Sequence, residues 1–129
     1  MKKRFALIVV FIILVSVFLS SCSKKAKISE SVYNSAVLIV DIIDSYLEDE
    51  IEIEEAKFYI QIRLDDLNEH CAPDGTEEYY YDLSTSMKAI SLQSTLLLYS
   101  MHASTRNDLI ESRNELAKYI GERIISDNH

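Results

Sequence analysis

Few side chains in this sequence have the types and spacing that chemistry requires, and the clearest group lies near its middle. Asp66 and His70 are four residues apart, which would place them on one face of a helix, and Cys71 follows directly. Such a set could hold zinc, but a solvated helix end beside a turn explains the same residues without a metal. A Cys71–His70 nucleophile pair is disfavoured because adjacent helical residues point about 100° apart. We therefore expect neither a metal site nor a catalytic cysteine.

Other catalytic and cofactor signatures are missing as well. A di-iron bundle needs two Glu-x-x-His pairs, whereas the residues three before His70 and His102 are Leu67 and Tyr99. The sequence has no Gly-x-Ser-x-Gly segment for a serine nucleophile. The acidic stretch 48–55 lacks the glycine that an EF-hand loop requires. The sequence thus predicts a protein that is not an enzyme and uses no cofactor.

The other cysteine, Cys22, closes a stretch that has the parts of an export signal. A basic start at residues 2–4 is followed by 15 residues, 5–19, that are apolar except for Ser16. Leu19-Ser20-Ser21-Cys22 then resembles the lipobox of bacterial lipoproteins. In that family the cysteine thiol receives diacylglycerol, and cleavage makes the cysteine the first mature residue.

The resemblance covers about a sixth of the chain. It implies cleavage between Ser21 and Cys22, lipidation of Cys22, and a domain outside the cytoplasm that is anchored in a cell membrane or outer membrane. The alternative is an uncleaved signal anchor, but 15 apolar residues are fewer than the roughly 20 that span a bilayer. We accordingly divide the chain into a signal peptide (1–21), a basic membrane-proximal tether (22–28) and an acidic helical domain (29–129).

Charge narrows the range of partners. The chain carries 13 basic and 21 acidic residues, a formal charge of −8. Loss of residues 1–21 would remove three of the basic residues and none of the acidic ones, which gives −11. Such a body repels nucleic acid, and it suits plain solubility or a basic protein or peptide partner. Acidic residues concentrate from Asp41 and Asp44 through 48–55, which we interpret as a solvated edge.

Composition and periodicity predict an all-α domain. Gly75, Gly121 and Pro73 are the only strong helix breakers, and Ala72-Pro73-Asp74-Gly75 suits a turn. Apolar residues recur at intervals of three and four. They are Val32, Ala36, Ile39, Ile43 and Tyr46; Ile53, Ala56, Ile60, Leu64 and Leu67; Leu83, Met87, Ile90, Leu97 and Met101; Leu109, Leu116, Ile120 and Ile124.

Helix starts divide each half of the chain in two. Asp49–Glu52 resembles a capping box, and Thr76 and Thr105 with Asp108 mark two further starts. We predict helices near 29–48, 51–70, 77–103 and 106–126, packed as an antiparallel up-down-up-down four-helix bundle. The alternative is a hairpin of two long helices, which would need to dimerise to bury its apolar stripes.

Two further features bear on partners. Tyr79, Tyr80 and Tyr81 are consecutive and cannot all be buried, so they are a candidate partner surface, although packing around Pro73 is the favoured explanation. Cys71 would be the only thiol left after lipidation. We expect it to be a buried small side chain, with a free thiol or a bond to a second chain as alternatives.

Three classes of function follow from these observations. We expect a small lipid-anchored envelope lipoprotein that acts as a non-catalytic interaction or accessory protein and captures a basic protein or peptide. A module that binds a small ligand between its helices is the alternative, and an enzyme is the least favoured class. A homodimer is left open.

Overall fold

The computed structural model describes residues 27–126, which form four α-helices and no β-strand within that range. The helices are α1 (Glu30–Leu47), α2 (Ile53–Glu69), α3 (Glu77–Ser100) and α4 (Arg106–Ile120). The predicted all-α fold and the number of helices are confirmed. The alternative hairpin of two long helices is wrong, because one helix ends at Leu47 and another ends at Ser100.

Polar residues begin the helices, though not always the predicted ones. Thr105 and Asp108 form a capping box: the Thr105 amide donates to the Asp108 carboxylate over 2.8 Å, and the Asp108 amide donates to the Thr105 hydroxyl over 3.1 Å. The Thr105 amide, with a smaller contribution from the Thr105 side chain, holds the pKa of the Asp108 carboxyl below its usual range. The capping box predicted at Asp49–Glu52 is wrong, since Glu52 is the N-cap of α2 and its amide donates to Glu55.

Three helices end with a residue in the left-handed conformation. The φ values are +59° at Asp49, +60° at His102 and +84° at Gly121. At each position the chain turns back to bond the last helical turn, as when the Glu50 amide donates to Ser45 and the Ala103 amide to Leu98. Helices α1 and α3 therefore stop without a glycine, through a turn that aspartate and histidine tolerate better than most residues.

The helices pack as a four-helix bundle, because each contacts its neighbours along the chain and α1 also contacts α4 and α3. Gln93 donates to Gln61 over 2.6 Å, and Ser86 donates to Asn68. Residue numbers thus rise along α2 as they fall along α3. Arg113 of α4 bonds Asp44 of α1, and Arg106 bonds Leu47. Residue numbers therefore also rise along α1 as they fall along α4. These pairs favour the up-down-up-down order, which stays a prediction.

Most of the predicted core residues of α1, α2 and α4 are buried. Tyr46 and Ile53 are only half-buried, and Ile124 is 57% exposed because α4 ends at Ile120 rather than near 126. The buried members of the predicted set are Val32, Ala36, Ile39, Ile43, Ala56, Ile60, Leu64, Leu67, Leu109, Leu116 and Ile120.

The predicted core face of α3 is wrong. Leu83, Met87, Ile90, Leu97 and Met101 are all exposed, by 40–65%. The buried residues of this helix are Asp82, Thr85, Ser86, Ala89, Leu92 and Leu96. Leu92 lies on the opposite side of the helix from Leu83, since nine residues at about 100° each make two and a half turns. Helix α3 thus turns a largely small and polar face inward and leaves its most apolar face outside.

Candidate functional site

The first unexpected group is a buried carboxylate at the start of α3. Asp82 is fully buried, and its oxygens accept hydrogen bonds from the Ser29 amide and the Ala72 amide, both over 2.8 Å, and from the Ser29 hydroxyl. These donors come from the segment before α1 and from the connection between α2 and α3. One side chain therefore fastens three parts of the chain. Sequence reasoning missed it because its partners lie 53 and 10 residues away.

Asp82 marks one end of the bundle, which we call the entry end. It comprises residues 27–29, the stretch 69–76 from the last residue of α2 to α3, and residues 77–82 at the start of α3. Ile28 is 7% exposed within the core, and the Lys27 ammonium lies 5.2 Å from the centre of the Tyr81 ring. Any chain that precedes residue 27 must join the domain here. Ser21 and Cys22, the predicted cleavage and lipidation residues, lie outside the described residues.

The tyrosine cluster also lies at the entry end. Tyr81 packs against the core, whereas Tyr80 is 68% exposed. The rings of Tyr79 and Tyr80 meet edge to face, with their centres 5.3 Å apart. The structure thus leaves Tyr80 and part of Tyr79, but not all three tyrosines, as a candidate contact surface.

The opposite end of the bundle, the far end, comprises the bends 48–52 and 101–105. The two bends meet where the Arg106 guanidinium donates to the Leu47 carbonyl over 3.1 Å. Six exposed carboxylates lie in and just after the first bend, at Glu48, Asp49, Glu50, Glu52, Glu54 and Glu55. Because the tyrosines are at the entry end and these carboxylates at the far end, the two predicted partner features cannot form one surface.

Asp44 does not belong to the solvated acidic edge, so that interpretation is wrong for this residue. Arg113, only 2% exposed, donates to both Asp44 oxygens over 2.8 and 2.7 Å and also to the Arg123 carbonyl. Its neighbour Asn114 exchanges two hydrogen bonds with the backbone of Ile125. This cluster fastens the segment after α4 to α1. Its signal in the sequence is that an arginine occupies a core position between Leu109 and Leu116.

Asp66, His70 and Cys71, the residues of the 66–71 segment that could have held zinc, do not form a metal-binding cluster. The His70 ring lies 2.8 Å from the Asp66 carbonyl rather than its carboxylate, which is instead 3.4 Å from Arg63. Cys71 is half-buried rather than buried, and burial, with a smaller effect of Asp82, raises the pKa of its thiol. No cluster of three or more His, Cys, Asp and Glu residues within 27–126 could hold a metal ion.

A groove of about 460 Å³ opens beside the far end, between α1, α4 and the segment that follows α4. Leu47, Ile110 and Ile124 supply its apolar surface, and Arg106 and Glu48 supply charges of opposite sign. The groove is open to solvent, and its lining also includes Asp44, Asn107, Arg123 and Ser126. It gives little support to the predicted alternative of a small-ligand module.

Comparison with known proteins adds no identification. No family model matches the chain, and neither a curated protein nor a solved structure matches it. Within residues 27–126, none of the helices is both long and apolar enough to cross a membrane. The class of protein that the fold defines is therefore a small four-helix bundle.

Proposed function

We propose that this protein is a non-catalytic lipoprotein of the cell envelope that captures a basic protein or peptide. In this proposal Cys22 follows the cleavage site and carries a diacylglyceryl group, and the domain stands outside the cytoplasm. Support for the anchor comes from the basic start, the short apolar run and the Leu19-Ser20-Ser21-Cys22 tetrapeptide. Two acyl chains would hold the protein stably, where one would be marginal.

The position of the entry end would orient the domain. Ile28 is buried, and only five residues separate it from Cys22. At about 3.4 Å per residue, this stretch reaches no more than roughly 20 Å. The entry end would therefore stay close to the membrane. Helix α3 has 24 residues and is about 36 Å long, so the far end lies at about that distance from the anchored entry end.

The observation that carries the proposed capture is the group of six exposed carboxylates at the far end. Within residues 27–126, the one ion pair they make joins Glu54 to Lys57 over 3.2 Å. The rest of their charge faces solvent. A basic partner would be drawn to this end by long-range attraction and would bind more weakly as salt is added.

The anchor is tested by the intact mass of the full chain extracted from its native membranes. We expect the mass of residues 22–129 plus a diacylglyceryl group. An unmodified full-length mass would mean an uncleaved signal anchor instead and would refute the lipoprotein proposal.

The capture is tested by titrating the full chain in nonionic detergent with a lysine- and arginine-rich peptide. The triple variant E48Q/D49N/E50Q removes three far-end charges, and E69Q/D74N/E77Q removes three exposed charges at the entry end. We expect the far-end variant to lose affinity at least fivefold and the entry-end control to lose much less. Equal losses would mean that net charge alone attracts the peptide, and the proposed capture site would be wrong.

The tyrosine surface is tested in the same titration. Because Tyr79 and Tyr80 lie at the entry end, replacing both with serine should leave peptide affinity unchanged. A loss as large as that of the far-end variant would move the capture site to the tyrosines.

A further inference from the structure

The exposed side of α3 carries a regular apolar stripe, which we call the outer face. Its six positions are separated by four, three, four, three and four residues: Leu83, Met87, Ile90, Ser94, Leu97 and Met101. The five apolar members are 40–65% exposed, and Ser94 is exposed as well. This alternation of threes and fours is the spacing with which a helix packs along a second helix. Within the described chain, no helix covers the outer face.

The outer face is wide enough for a stable interface. Tyr80 and Leu98 extend the outer face along α3. Phe58 of α2, which is 63% exposed, adds to it, because it lies one helical turn before Gln61, and Gln61 bonds Gln93 of α3. Apolar patches on monomers usually cover about 300–600 Å². Eight large side chains, each exposed by two fifths or more, make an area on the order of the roughly 800 Å² that each partner buries in a stable interface.

Charge indicates what kind of surface fits there. The sequence from 83 to 107 contains no aspartate or glutamate, although the chain as a whole has a charge of −8. A second copy of the chain would be repelled by most of the molecule but not by this face. A cationic partner would find no carboxylate here. A membrane surface is disfavoured too, since the only lysine of α3, Lys88, lies over the Tyr119 ring of α4.

The outer face is also complementary to itself. Two copies of α3 can lie antiparallel about a two-fold axis that passes between their outer faces at the level of residue 92. Leu83 of one copy then faces Met101 of the other, Met87 faces Leu97, and Ile90 faces Ser94. At the centre, the large Ile90 then meets the small Ser94, which lets the two helices approach closely. We propose that the protein forms a homodimer through the outer face, with the two α3 helices antiparallel. This interface is separate from the far end, so it can exist whether or not a basic partner binds.

The dimer is tested by sedimentation equilibrium of the full chain at micromolar concentration in nonionic detergent. The variant Met87→Glu with Leu97→Glu places two charges on the outer face. The matched control, Leu38→Glu with Ile124→Glu, adds the same charges at side chains 40% and 57% exposed on other surfaces. We expect a wild-type dimer, self-association weakened at least tenfold in the outer-face variant, and an unchanged control. A wild-type monomer, or equal weakening in both variants, would refute the proposal.

Disulfide cross-linking tests the orientation, with Cys22→Ser and Cys71→Ser as background. An antiparallel dimer brings residue 83 of one copy close to residue 101 of the other, so a mixture of Leu83→Cys and Met101→Cys chains should cross-link on oxidation. Leu83→Cys alone should not, because its two copies would be about 27 Å apart along the helices. Cross-linking of Leu83→Cys alone would indicate a parallel pair and overturn the proposal. A monomer that binds neutral phosphatidylcholine vesicles through the outer face would overturn it in favour of the membrane.

Discussion

Helices α1 and α3 face the same core but present opposite surfaces to it. Helix α1 buries its apolar stripe, including Val32, Ile39 and Ile43, which have no exposed area. Helix α3 buries the polar residues Asp82, Thr85 and Ser86 within its first half and leaves its outer face in solvent. The comparison teaches that the most apolar side of a helix does not by itself decide which side turns inward.

Hydrogen bonding explains the orientation of α3. A rotation that buried Leu83 would carry Asp82 away from the amides of Ser29 and Ala72 and leave those donors to find other partners. Ser86 would also lose its bond to Asn68 of α2. Each bond to a buried carboxylate is worth about 1.5–3 kcal/mol, and the same rotation would expose Leu92 and Leu96, which offsets part of the gain from burying the outer face. The polar contacts therefore hold the inward face of α3.

The most direct test of this difference shortens an isoleucine on each helix. Ile39→Ala on α1 removes a side chain with no exposed area and should lower the free energy of unfolding by about 3 kcal/mol. Ile90→Ala on α3 removes one that is 43% exposed and should cost about 1 kcal/mol or less. Denaturant unfolding followed by circular dichroism, at a concentration low enough for the monomer, measures both.

The outcome of this pair separates two orientations of α3. Equal losses for the two variants would mean that Ile90 is buried in the monomer and that the inward face of α3 is the one periodicity predicts. A small loss for Ile90→Ala that grows with protein concentration would instead point to burial in the proposed dimer.

The second test removes the carboxylate that fixes α3. Asp82→Ala should destabilise the fold by about 2–3 kcal/mol, because the partly buried amides of Ser29 and Ala72 lose their acceptor. Asp82→Asn keeps one acceptor oxygen and should cost about half as much. The exposed Asp74 provides the control, since Asp74→Ala should stay within about 0.5 kcal/mol of the wild type.

A second readout locates the effect of Asp82. Loss of its bonds to Ser29 should free the segment before α1, so trypsin should cleave after Lys27 faster in Asp82→Ala than in Asp74→Ala. If cleavage is equally slow in both, the entry segment is held by contacts other than Asp82, and the explanation for the orientation of α3 fails.

Much of the fold could be predicted from the sequence, because for three helices the apolar stripe and the buried face coincide. The start at Thr105 could be predicted for a local reason, since this N-cap residue lies within three residues of Asp108, whose amide it accepts. The orientation of α3 was not readable, because the donors to Asp82 come from distant parts of the chain. For the same reason the bond between Arg113 and Asp44, which are 69 residues apart, could not be predicted. The only indication in the sequence was that Arg113 occupies a core position of α4.

The left-handed residues that follow α1 and α3 were another feature that could not be predicted, and here the two helices agree. Each ends at a left-handed residue that is not glycine, Asp49 or His102, so its Cβ crowds the backbone. Asp49→Gly and His102→Gly should relieve this strain and raise the free energy of unfolding by up to about 1 kcal/mol each, less the entropy that glycine adds to the unfolded chain.

The neighbouring residue gives a matched control for that prediction. Glu48 has a φ of −92°, where a side chain causes no strain, so Glu48→Gly should only destabilise, by about 0.5–1 kcal/mol. Opposite signs at two adjacent positions would tie the effect to backbone conformation rather than to lost charge, since both variants remove one carboxylate. If Asp49→Gly destabilised as much as Glu48→Gly, the left-handed turn would not be what stops α1, and the division of each half of the chain into two helices would need another cause.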